Sequence, residues 1–296
     1  MGSEMCIRDS RNTVRGIRDL ALSNCAEGLR IQSLSSELRN KYGYLWYIAA
    51  YQMSPWTSIL SLTSPVRDAS ILAENFAIHF KVSQMKLGVY QKRIHRSVVE
   101  LMHGVKTFKT VSADFYDEFD REEFLRDLGH FDFSEMKFAH FVLNAIEESI
   151  AKNPLVSHGR LWSVEHVVPQ NPKKWGMMGA AVLVKHKRIV NRLGNLTLIT
   201  ASSNSHLSNK SLEFKLAGNR NGMCSISGCL DHYIDSPYQL TKRIATSYPD
   251  LMEEFVSSKI ASSETATLRW CFEFIEQRTS ELIDLIEASN LWGFKG

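Results

Sequence analysis

The chain has 296 residues, with 35 Lys and Arg against 32 Asp and Glu, 44% hydrophobic and 23% charged residues, and a net charge of +3. This is a globular composition, which excludes a disordered or collagen-like chain, and the length suffices for one large domain or two modest ones with real cores. Cysteines at 6, 25, 224, 229 and 271 form no regular framework, so a disulfide-stapled secreted domain is excluded, and no apolar run reaches the ~18 residues of a membrane span.

Glu4, Arg8 and Asp9 stand where a secretory leader would be apolar, so the expected location is the cytoplasm. Residues 5–10 resemble a translated adapter junction; residues 1–10 are left out of the fold, and the natural protein is expected to continue upstream. Residues 11–150 read as helical, with Ser64-Pro65 as a cap followed by proline at the first helical position. The acidic run 114–127, broken by Phe115, Phe119 and Phe124, reads as a solvated helix face or loop. A helix capped by Ser134 carries Phe138, Phe141, Val142, Ala145 and Ile146 on one stripe and ends before Asn153-Pro154.

From Arg160 the pattern changes. Residues 161–164 read as a short strand running into Glu165-His166, and residues 180–193 as a helix stopped by Gly194. Residues 196–199 are a second β-prone run, and 203–216 a further helix with Leu207, Leu212 and Phe214 facing inward. The tail from Pro237 is helical again. Its last helix carries Leu268, Cys271, Ile275, Leu282 and Ile286 at helical spacing, with Trp270 and Trp292 as packing anchors. Trp162 and Trp175 are read as packing residues too.

The charge is uneven. Residues 160–220 hold ten basic residues against two acids, an excess of eight in a chain whose total is +3. A local basic stretch in a near-neutral chain is the footprint of a polyanion-binding surface, or else a solvated charged face.

Glu165-His166-Val167-Val168-Pro169-Gln170 sets a carboxylate and an imidazole side by side at a strand end. Such neighbours point to opposite sides of a strand, so one can hold a metal while the other faces a substrate. Gly194-Asn195-Leu196-Thr197-Leu198 follows, and Asn204 comes nine residues after Asn195. A hard divalent cation takes oxygen ligands, which Glu165 and the Asn204 amide can supply. Phosphodiester hydrolysis needs a base for water and a positive centre on the leaving oxygen, needs that His166 and a metal meet.

These residues resemble the HNH, or ββα-metal, nuclease motif, with His166 at the first position, Asn195 at the middle one and Asn204 at the last, and with Glu165 where others often have Asp. The wording of the three segments, with Asn-Ser-His-Leu-Ser-Asn-Lys at 204–210 and Phe214-Lys215, looks most like the C-terminal nuclease domain of GmrSD-type modification-dependent restriction endonucleases. The RNA-guided CRISPR nucleases carry a more distant likeness. Trp270, Ile275, Arg278 and Trp292 resemble that family's closing helix.

The resemblance implies a mainly α, α+β protein whose nuclease domain at 131–296 contains a small ββα-metal core at about 160–217 and C-terminal helices. Residues 11–130 would be a helical linker to an upstream NTP-hydrolysing, ParB-like domain. It implies a metal-dependent endonuclease that cleaves DNA in restriction of foreign or modified DNA. His166 would be the general base and Asn195 would hold the loop and orient it. Glu165 and Asn204, with His206 as a further ligand or phosphate contact, would hold Mg²⁺, or Mn²⁺ in its place. Lys215 and Lys210 would sit near the phosphate, and Lys187, Arg188 and Arg192 would track the nucleic-acid backbone. A nucleic-acid-binding module without catalysis, and an HNH nuclease acting on RNA, are the alternatives.

Overall fold

The computed structural model describes residues 104–117, 120–151, 162–207, 210–216, 232–248 and 263–293, with scattered positions between 75 and 100. Ser64-Pro65, the adapter-like start, Cys224 and Cys229 lie outside the described residues. The chain divides into two compact units, one of Met1–Phe124 with Trp292–Gly296 and one of Leu125–Leu291. In the first, α1 (Phe108–Asp117) buries Val111, and Lys106 bridges Glu100 at 3.1 Å and Asp114 at 2.7 Å. The acidic run therefore begins on a helix face, as expected. Phe124 is buried, with the His79 ring 4.2 Å away and Trp292 edge-on at 6.3 Å.

α2 (Arg121–His130) carries the unit boundary. Asp120 Oδ1 accepts the Glu123 N–H at 3.0 Å and closes its open first turn. In the second unit, α3 (Met136–Ile150) buries Phe138, Ala139, Val142, Leu143 and Ile146, the stripe of a helix packed on one side. Its N-cap is Glu135 rather than Ser134. The Ser134 N–H goes to Asp132 Oδ1 at 2.8 Å, an Asx-type turn that sets the start one residue later.

Two strands form an antiparallel sheet: β1 (Trp162–His166) and β2 (Leu196–Thr200), with Glu165 opposite Thr197 and His166 opposite Leu196. β2 is buried along its whole length. The connection runs through a 3-10 turn at Pro172–Trp175 and α4 (Ala180–Lys187). The helix expected over 180–193 thus stops at Lys187. Beyond it the carbonyls of Val190 and Asn191 accept from the Asn195 side chain and the Phe133 N–H instead of from helix amides, and Ile189, Val190 and Leu193 are buried in turns.

α5 (Ala201–Leu207) follows β2 directly and packs on both strands. The single helix expected over 203–216 is two, because Ser211 Oγ accepts the Phe214 N–H and starts a new one, α6 (Leu212–Leu216). α7 (Gln239–Thr246) begins on the buried Glu147 carboxylate, which accepts the N–H groups of Gln239 and Leu240 at 2.7 and 2.8 Å. The 25-residue α8 (Glu264–Ala288), capped by Ser263, runs through the core. Leu268, Cys271, Ile275, Leu282 and Ile286 are all buried on it, as is Trp270, which stacks on Phe274 at 5.3 Å. The described chain is mostly helical with one small antiparallel sheet, an α+β arrangement.

Candidate active site

His166 ends β1 and is 9% exposed. Its Nε2 lies 3.2 Å from Asn191 Oδ1 and 3.3 Å from the Gln170 amide nitrogen. One ring nitrogen carries either a proton or a lone pair, so these partners belong to different tautomers. With the proton on Nε2, the ring donates to Asn191 and the lone pair falls on Nδ1. Burial lowers the imidazole pKa to about 4, against a smaller upward pull from the Asn191 bond. The ring is therefore neutral at pH 7 and able to accept a proton.

Glu165, one residue earlier, is 4% exposed and faces a different set of groups. Its Oε1 accepts from Lys215 Nζ at 2.6 Å and from the Tyr233 hydroxyl at 3.3 Å. Lys215, on α6, has no exposed surface and also donates to the carbonyls of His166 at 2.9 Å and Val167 at 3.2 Å. Burial pushes the Glu165 carboxyl up and the Lys215 ammonium down, and each charge partly offsets the other's desolvation. Tyr233 stands in a 3-10 turn whose neighbour His232 reaches the Phe214 carbonyl through Nδ1 at 2.6 Å, which ties the turn to α6.

Asn195 is wholly buried and touches main chain rather than the imidazole. Its Oδ1 accepts the Val168 N–H at 2.8 Å, and its amide donates to Val168 O at 2.9 Å and Val190 O at 2.7 Å. These bonds tie the turn at Asn195 to the loop after His166. The orienting bond to His166 comes from Asn191 and Gln170 instead. The turn that carries Asn195 is clasped by α8. Arg278 donates to Gly194 O and Leu196 O, both at 2.7 Å, and the Gly194 N–H reaches Thr279 Oγ1 at 3.1 Å. A Cβ at Gly194 would fall 2.1 Å from the Ile275 carbonyl oxygen, so only glycine lets the turn approach the helix this closely. Gly194 is a contact glycine more than a helix stop.

Asn204, on α5, donates through its amide to Ser163 Oγ and to Val164 O at 3.3 Å. Its Oδ1 is left as an acceptor without a protein partner among the described residues. His206 lies on the same helix, with its side chain outside the described residues. Among the described residues, no three His, Cys, Asp or Glu side chains come together in a way that could hold a metal ion. Of the oxygen donors expected to ligate Mg²⁺, Asn204 uses its amide nitrogen in bonds to β1, and Glu165 Oε1 carries an ammonium and a phenol.

The basic residues separate by exposure. Lys173, Lys185, Lys187, Arg188 and Lys210 are exposed, Arg192 is half-buried in an ion pair with Glu276, and Lys215 is sealed. Lys210 also lies over the Phe214 ring at 5.4 Å. Sealing corrects the reading of Lys215 as a phosphate contact, since an ammonium without exposed surface reaches no phosphate.

Four residues of the site carried no role in the sequence reading. Gln170 stood inside the quoted run four residues after His166, whereas Asn191 and Tyr233 gave no signal in composition or spacing. His186 is buried, and its Nε2 meets the Pro169 carbonyl at 3.0 Å, linking α4 to the loop after His166.

No helix among the described residues is long and apolar enough to cross a membrane. The family model described as the C-terminal domain of GmrSD restriction endonucleases matches residues 118–285, more than half of the chain. No curated protein and no solved structure matches it. The chain belongs to the family of GmrSD restriction endonuclease C-terminal domains, a nuclease domain of the restriction-endonuclease type.

Proposed function

We propose that the chain is an HNH-type endonuclease that hydrolyses phosphodiester bonds of DNA through a ββα-metal core made of β1, β2 and α5. The observation that carries this reading is the buried imidazole of His166 at the end of β1, with its Nε2 within hydrogen-bond distance of Asn191 and Gln170. In the Nε2–H tautomer, Nδ1 takes a proton from the attacking water while Asn191 Oδ1 steadies the imidazolium that forms. An anionic phosphate beside the ring would raise its pKa from about 4 and strengthen it as a base. In-line attack at phosphorus, with departure of the 3′ oxygen, leaves 5′-phosphate and 3′-hydroxyl ends. The exposed Lys185 and Lys187 in the last turn of α4, with Arg188 as its C-cap, carry the polyanion's backbone.

The cofactor of this reading is Mg²⁺, with Mn²⁺ able to replace it; when bound, such an ion supplies positive charge beside the phosphate. Asn204 Oδ1 is the protein oxygen offered to it, with His206 on the same helix as the further candidate. The biological setting is restriction of foreign or base-modified DNA in the cytoplasm, with an NTP-hydrolysing, ParB-like domain as partner.

The test is nicking of supercoiled plasmid with Mg²⁺ or Mn²⁺ by the wild-type chain and by His166→Ala, with an EDTA lane. Cleavage is expected to fall by about a thousandfold in the variant and to vanish with EDTA. Undiminished nicking by purified His166→Ala would remove His166 from the reaction.

A further inference from the structure

We propose that Lys215 and Glu165 are a pair of positioning residues that hold the main chain at His166 and Val167, in place of the phosphate contact and the metal ligand that the motif implies. The role rests on the nuclease reading of His166; the geometry of the pair does not.

An ammonium has three protons and no acceptor. All three of Lys215's have partners: Glu165 Oε1 at 2.6 Å, His166 O at 2.9 Å and Val167 O at 3.2 Å. Lys215 is 0% exposed, so no proton and no surface remain for a phosphate. Glu165 is closed in the same way. Its Oε1 carries Lys215 and Tyr233, and the residue is 4% exposed. A carboxylate whose charge is already matched by a buried ammonium at contact distance is a poor ligand for a second cation, because the two cations would repel across the same oxygen.

What the pair does instead follows from where it is tied. His166 is the last residue of β1 in register with β2, opposite Leu196. Beyond it the chain leaves the ladder, and only the Val167 N–H still reaches across, to Asn195 O at 2.9 Å. Lys215 takes the two carbonyls at this exit. Asn195 takes the next residue, Val168, by both its N–H and its C=O. Residues 166–168 are thus gripped from α6 on one side and from the turn at 194–196 on the other. The Cα–Cβ direction of His166 is set by that grip. A base displaced by about 1 Å can lose about a hundredfold in rate, which is the leverage available to a residue that never meets the substrate.

The test uses the full chain with Lys215→Met, Glu165→Gln and the double variant. Hydrogen exchange of residues 163–170, read by mass spectrometry without DNA or metal, is expected to quicken about tenfold in Lys215→Met while α8 stays protected. For plasmid nicking, kcat is expected to fall about a hundredfold with KM unchanged. The salt slope of duplex binding should stay at the wild-type value, whereas a lost phosphate contact would lower it by about 0.9. Mn²⁺ binding to Glu165→Gln, followed by calorimetry, should stay within about twofold of wild type.

A lowered salt slope with unchanged exchange would restore Lys215 to the phosphate and overturn the proposal. A tenfold loss of Mn²⁺ affinity in Glu165→Gln with unchanged exchange would restore Glu165 to the metal and overturn it equally. Rapid exchange in Lys215→Met, alongside a wild-type chain that neither binds nor nicks DNA, would sink the nuclease reading and leave the pair's grip on the strand standing. Should Lys215→Met fail to fold, the double variant, which leaves no unpaired charge, is judged on the same exchange and slope.

Discussion

Glu165 and His166 are adjacent residues of one strand, yet they meet opposite chemistry. Glu165 meets a formal charge, the Lys215 ammonium, and a neutral phenol, and is itself buried. The His166 ring has neutral amides, Asn191 and Gln170, as its hydrogen-bond partners, and their bonds belong to different tautomers. The difference is what a proton-accepting site requires. A histidine beside a fixed carboxylate gains a raised pKa and a fixed proton, whereas a buried one between two amides is kept neutral by its burial and can exchange partners as its proton moves. The carboxylate one residue away is matched by the Lys215 ammonium, which also holds the backbone carbonyls of His166 and Val167.

The largest effect is expected where the charged side is broken unevenly. Lys215→Met leaves a buried carboxylate without its cation and should cost about 3–5 kcal/mol, whereas pairing it with Glu165→Gln should recover most of the loss. Urea unfolding of the single and double variants measures both values. Equal losses in the two would mean that the ion pair is not the unit that holds α6 to β1.

Both strands, the Glu165-His166 pair at the end of the first and the long C-terminal helix were legible, because each rests on local periodicity or on adjacent residues. The helix boundaries were less so. The break between α5 and α6 depends on Ser211 acting as a cap, and the end of α4 on carbonyls of Val190 and Asn191 that bond to distant groups. The candidate site divides in the same way. His166 and Asn195 stand out by their wording. Asn191 and Tyr233 act only through the fold, which brings residues 25 and 68 positions away onto His166 and Glu165. Lys215 was visible as a conspicuous cation, but its burial is a tertiary fact, and burial turns a phosphate contact into a backbone tie.

Next in size comes the frame shared by both residues. Asn195→Ala strips one buried N–H and two buried carbonyls of their partners, which should cost about 3 kcal/mol. Asn195→Asp should cost as much, since a carboxylate cannot donate to Val168 O and Val190 O. Thermal unfolding gives the values, and a loss below about 0.5 kcal/mol in either variant would show that the loop is held without Asn195.

The neutral side is sharpened by pH. With His166 at about 4 the base form persists below neutrality, so the acid limb of kcat/KM should lie well under the ordinary histidine value. The sign for stability is the same. The folded pKa is depressed, so the contribution is complete above about 6.5 and is lost as pH falls toward 4. Asn191→Asp puts a carboxylate at the imidazole and should move the acid limb up by about one pH unit or more. An unmoved limb would mean that another group titrates in the reaction.

The smallest structural effect is expected at the C-terminal end of α4 and its cap, where the exposed basic residues belong to neither side of β1. Lys187→Ala and Arg188→Ala remove charge from solvent and should change stability by no more than about 0.5 kcal/mol. Each should still lower the salt slope of duplex binding by about 0.9, because a phosphate neutralised by the side chain returns its counterion when that side chain is removed. The contrast with Lys215 is then complete: there, folding and kcat fall while the slope holds, and here the slope falls while folding holds. A slope unchanged by both substitutions would move the DNA to another face of the domain, and the basic excess of residues 160–220 would be no more than a solvated surface.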